Sequence, residues 1–105
     1  MAFYHSPEQI NQMTDPTFTY DSGKIVPSVP QKLGSVIYPD KKVLIAEWLD
    51  NHTGGLNNWW SWDGCRNYLF VDGRVEFLPA KRILPANDNL PDINLTKDGI
   101  RGRDI

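Results

Sequence analysis

Cysteine is nearly absent from this chain. Cys65 stands alone, so no internal disulfide can form. A catalytic thiol needs a base beside it, and nothing in the spacing sets His5 or His52 next to Cys65. The plain reading of Cys65 is a small, half-buried strand residue. Long apolar runs are also missing. The longest, "VLIA", falls far short of the roughly 20 residues that cross a bilayer as a helix. The opening "MAFYHSPEQ" has neither the basic nor the apolar region of a secretory leader. No basic run appears: 11 Lys and Arg stand against 13 Asp and Glu, a formal net charge of -2. There is thus no electrostatic reason to expect nucleic acid. Gly-x-Ser-x-Gly, a phosphate-cradling glycine loop and His-Glu-x-x-His are all absent, so the sequence reads as non-enzymatic.

What is present suits one small domain of 105 residues, with 40% hydrophobic and 23% charged residues. So short a chain needs its large aromatics inside. Three stretches divide it: a lead-in over 1–40, a strand-and-hairpin core over 41–80, and an irregular tail over 81–105. Residues 6–13, "SPEQINQM", read as a short helix, with Ser6 as cap, Pro7 in the first turn and Gln9 at the capping-box position. Asp15-Pro16 stops it. Pro27, Pro30 and Pro39 make the rest of the lead-in loop-rich.

"KKVLIAEW", Lys41 to Trp48, is the first definite strand. The continuous apolar run Val43–Ala46 predicts a central strand covered on both faces. A loop over 49–61 leads to "GCRNYLFVDGRVEFLP", which alternates, turns on Asp72-Gly73 and alternates again. Asp-Gly predicts a two-residue type I′ turn. Phe70 then faces Val75 and Tyr68 faces Phe77. Tyr68, Phe70, Val75 and Phe77 would share the core face, and Leu69, Val71, Arg74 and Glu76 the mixed one. The tail packs on the sheet through Ile83, Leu84, Leu90 and Ile93. The expected fold is α+β: a small antiparallel sheet of three to four strands, a short N-terminal helix and a long irregular C-terminal tail.

The order of the strand "YPDKKVLIAEW", a Gly/Asn loop and the hairpin resembles the C-terminal part of bacterial prepilin-like proteins, relatives of the type II secretion pseudopilins. The likeness covers about residues 30 to 80. The family's turn into a strand ending on an acidic residue corresponds to Pro39, Asp40, Lys41 and Lys42, with Glu47 at the end. Its closing motif, His, nine residues, then Asp-Gly, reads here through Asn67, Leu69, Phe70, Asp72, Gly73 and Val75. Trp62 stands in place of the motif histidine, and Arg74 at the second histidine position. No basic leader, Gly-Phe-x-x-x-Glu site or long apolar helix precedes these residues in this sequence. The resemblance therefore implies either a soluble fragment or a reduced relative. It implies a globular head making protein–protein contacts, periplasmic or envelope-associated. It also implies calcium as the one cofactor to look for, at Asp98 and Asp104 in "KDGIRGRDI". The plain reading of that tail is a frayed polar terminus.

"NNWWSWDG" is the other candidate site. Trp59, Trp60, Trp62 and Asp63 form a binding surface if the rings are exposed, suited to a carbohydrate or small ligand. If Trp60 and Trp62 share a face of an extended segment, they fill the core beside Tyr68 and Phe77 instead. The period of two suits a run that straddles both. Glu47, Asp50 and His52 match no metal-ligand spacing and read as loop polarity.

Overall fold

Strict alternation makes the central strand. In "CRNYLF", every second side chain (Arg66, Tyr68 and Phe70) is buried, and Cys65, Asn67 and Leu69 are half-exposed. In the computed structural model, which describes residues 31–50 and 58–105, this segment is β2 (Cys65–Phe70) of a three-stranded antiparallel sheet. It lies between β1 (Val43–Ala46) and β3 (Val75–Pro79), in the order β1-β2-β3. The helix expected over 6–13 lies outside the described residues. Among the described residues, helices are limited to single 3-10 turns. None is long and apolar enough to cross a membrane.

The hairpin forms where Asp-Gly predicts, but one residue out of the expected register. Leu69 pairs with Val75, Tyr68 with Glu76 and Asn67 with Phe77. The Phe70 amide donates to the Arg74 carbonyl (2.8 Å), and the Gly73 amide donates to the Phe70 carbonyl (3.0 Å). The loop is therefore Val71-Asp72-Gly73, and Gly73 supplies the positive φ, +91°. This is the three-residue hairpin closing on a left-handed glycine, not type I′. The cause lies across the sheet. A two-residue turn would need the Val71 amide for Arg74, but that amide donates to the Lys42 carbonyl (2.9 Å), and the Asp72 amide to the Pro39 carbonyl (3.0 Å). A slip of one residue turns a whole strand over. Val75 and Phe77, expected in the core, are 61% and 50% exposed, while Glu76 and Leu78 lie on the inner side.

Among the described residues β1 is an edge strand of the sheet, not the central one. Val43 is fully buried against the core, but Ile45 points outward and is 43% exposed. The ladder to β2 is irregular between Val43 and Ile45. An apolar run that is continuous in sequence therefore splits between a covered and an open face.

The core lies between the inner sheet face and the tail. Val43, Tyr68, Phe70, Ile83 and Ile93 form one buried cluster, with Ala46, Leu78 and Ile105 packed against it. Each such side chain contributes roughly 1.5–3 kcal/mol by leaving water. Ile83 and Ile93 serve as expected, whereas Leu84 is exposed and Leu90 half-buried. Residues 80–105 hold no strand. They turn at Ala80–Arg82, Ile93–Leu95 and Gly99–Arg101. Nor does the tail fray: Leu95, Ile100, Gly102 and Asp104 are all buried.

Candidate functional site

Antiparallel pairing of β1 with β2 brings the end of one strand to the start of the other. Glu47 is held there three ways. Its amide donates to the Asn67 carbonyl (3.2 Å), and its Oε2 accepts from the Asn67 amide (2.8 Å) and Nδ2 (3.2 Å). The next residue, Trp48, thereby reaches the tryptophan run. Its ring lies 5.5 Å from that of Trp59, tilted by 40°, and Trp59 meets Trp60 edge-on at 5.6 Å. Such offset and edge contacts suit aromatic quadrupoles. Trp48 is 59% and Trp60 49% exposed, Trp59 and Trp62 are half-buried, and Asp63 is exposed. Trp60 and Trp62 thus do not fill the core beside Phe77, which itself faces outward. Trp48 is the member that reading the run alone misses. The signal for it was the β1–β2 pairing, which sets residue 48 near the loop before β2.

Arg66 fixes that loop. Its side chain is buried, and its guanidinium donates to the carbonyls of Asn58 and Ser61. Beside it runs a narrow pocket of about 40 Å³, whose lining includes Trp48, Trp59, Arg66, Tyr68, Asp92 and Asn94. Three of these residues carry a buried polar atom without a well-formed hydrogen bond: Arg66 Nε, Tyr68 Oη, which lies close to Arg66, and Asp92 Oδ2, whose carboxyl lies close to Asp88. Native interiors hold few such atoms, so three around one pocket mark it out. Burial raises the pKa of Tyr68, against the opposing influence of Arg66. Burial also pushes the Asp92 carboxyl up to about 7, and the neighbouring Asp88 adds to the rise. Asp92 Oδ1 accepts from the Asn94 amide (2.9 Å) and caps the Ile93–Leu95 turn, which holds the carboxyl in place.

A second polar centre lies deeper. Lys42 is fully buried, and its Nζ donates to Asp104 Oδ2 (2.9 Å) and Thr96 Oγ1 (2.6 Å). Asp104 Oδ2 also accepts from the Val43 amide (2.8 Å). The Thr96 hydroxyl lies 2.6 Å from Asp104 Oδ1 and 3.0 Å from the Ile93 carbonyl, and donates to one of them at a time. Burial lowers the pKa of Lys42, and Asp104 counters it. Both carboxylate oxygens of Asp104 are thus engaged inside the fold. Asp98 is exposed, with a left-handed φ of 65°. Both aspartates line an open cleft of about 800 Å³, rimmed by Lys97, Arg101 and Arg103. Among the described residues, no group of three or more His, Cys, Asp or Glu stands where it could hold a metal ion. Asp50 is buried, and His5 and His52 lie outside the described residues.

No family model, curated protein or solved structure matches the chain.

Proposed function

We propose that this domain is a non-enzymatic binding head that makes protein–protein contacts, in the manner of a pseudopilin head in a bacterial envelope or secretion assembly. The observation that carries the reading is the outer face of the sheet. Ile45, Leu69 and Val75 stand in one cross-strand row, with Phe77 beside them opposite Asn67, and three of these four apolar side chains are at least 43% exposed. A small domain short of core leaves such a row open when something else covers it. The likeness of residues 39–47 and 67–75 to the prepilin-like pattern supplies the setting.

The test uses Phe77→Glu and Val75→Lys. Both side chains are exposed, so each variant is expected to fold with stability within about 0.5 kcal/mol of the parent. A photo-cross-linker at position 75 in the source cells should give one discrete protein adduct, and Phe77→Glu should abolish it. A cross-linker at 75 that yields no adduct, or one indifferent to Phe77→Glu, overturns the proposal.

A further inference from the structure

We propose that the pocket between Trp48, Trp59, Arg66, Tyr68 and Asp92 binds a neutral sugar unit, seating one hydroxyl or hydroxymethyl group inside and stacking the ring on the tryptophans. This site is separate from the outer sheet face and does not depend on it.

Size is the first argument. A pocket of about 40 Å³ falls far below the roughly 300–1,000 Å³ of sites that enclose a whole small molecule. It admits a single small polar group, and the body of the ligand must remain outside, against the rings.

The second argument is the polar complement. Arg66 Nε can only donate, the Tyr68 hydroxyl donates or accepts, and the Asp92 carboxyl accepts through Oδ2 or donates when protonated. A hydroxyl group both donates and accepts, so the one group that the pocket admits can answer a donor and an acceptor there together. An ammonium group would leave the arginine unmet. A carboxylate would set a second anion beside Asp92.

The third is charge. The lining holds one guanidinium, of Arg66, and two carboxyl groups, of Glu47 and Asp92, the latter pushed up to about 7 by burial, so near pH 7 no single sign dominates. That favours a neutral ligand.

The rings complete the set. Trp48, 59% exposed, presents area at the mouth, and the electron-rich face of an indole attracts the weakly positive C–H bonds of a sugar face. Arg66 ties the site to the loop before β2 through Asn58 and Ser61, so the loop that carries Trp59 is held by the same side chain that lines the pocket.

The experiment is a titration of the full chain with neutral oligosaccharides of glucose, galactose and N-acetylglucosamine, followed by tryptophan fluorescence and by amide chemical shifts. At least one series should bind saturably, with a dissociation constant of about 1 mM or below. Shifts should centre on Trp48, Trp59, Arg66 and Asn94. Trp48→Ala, at an exposed position, should keep the melting temperature and weaken binding roughly tenfold. Asp92→Asn keeps the cap on the Asn94 amide and tests the floor separately, with weakening again expected. Phe77→Glu should leave the titration unchanged, so the two proposals fail independently. No saturable response across the panel overturns the inference and leaves the three polar atoms to an ordered water alone. Binding unaffected by Trp48→Ala overturns it too, as does a preference for charged over neutral sugars.

Discussion

Asp92 holds a carboxyl in a place where charge is costly. Its side chain is 4% exposed, and burial, with Asp88 close by, pushes its pKa up to about 7 from an ordinary value near 3.9. The sign of the effect on stability follows. Between about pH 4 and pH 7 the folded chain holds a proton that the unfolded chain has lost. Stability from this group is therefore fully present below pH 4, falls as pH rises through 7, and is flat beyond, with a total change on the order of a few kcal/mol. Asp92→Asn retains the carbonyl that caps the Ile93–Leu95 turn and removes the titration. The variant should come closest to the parent near pH 4, exceed it at pH 8 and give a flatter profile in denaturant melts between them. Parallel profiles would show that Asp92 is not the group that titrates. None of this was legible in the sequence, where Asp92 is one acidic residue in a polar tail. Its role depends on the fold burying its side chain, a tertiary fact with no local signature.

The hairpin shows how much an element can reveal and where it stops. Alternation in "NYLFV" and "RVEFL" located both strands, and Asp-Gly located the turn. Register was not legible, because Asp-Gly serves a two-residue and a three-residue loop equally well. The choice was made by Val71 and Asp72, whose amides bond to the Pro39–Lys42 segment instead of to β3. Likewise the tryptophan run could be read as a ring cluster, but its partner Trp48 lies just beyond another strand, β1. Two glycines separate backbone strain from lack of space. At Gly73, with φ +91°, an added Cβ meets nothing within 4 Å, so the cost of a side chain is conformational alone. Gly73→Val should destabilise by about 1–2 kcal/mol. Gly102 has an ordinary φ of -83°, but a Cβ there would come within 2.0 Å of the Lys97 carbonyl oxygen, with backbone that cannot swing aside. Gly102→Ala should therefore cost more than Gly73→Val, although alanine is the smaller residue. Chemical denaturation of the two variants checks the order, and the reverse order would mean the Lys97–Gly102 approach is looser than it stands here.

At the scale of the molecule, the tail is a structural part of the sheet layer. Asp104 donates its amide to the Lys41 carbonyl (2.8 Å) and accepts from the Leu84 amide (2.7 Å). Its carboxylate holds Lys42, the Val43 amide and the Thr96 hydroxyl, and Ile105 packs on the core. One residue thus joins β1, the chain after β3 and the last turns. A polar ending in "RGRDI" reads as fraying in sequence because its partner, Lys42, is 62 positions away. The alternative reading of Asp104, as a calcium ligand, has to contend with the same contacts, since an ion would need oxygens that already serve Lys42. Removing one member of a buried ion pair leaves the other charged in a low-dielectric interior, at about 3–5 kcal/mol. Asp104→Ala should therefore lose a large share of the 5–15 kcal/mol typical of a whole domain, and Lys42→Met should do the same from the other side. The double variant Lys42→Met with Asp104→Leu has no stranded charge, so it should be more stable than either single one. The coupling between the two sites, read from a double-mutant cycle by urea melts, should exceed about 1 kcal/mol. Additive losses would mean that the two side chains do not share one buried site, and that the tail is held by Ile93 and Ile105 packing alone.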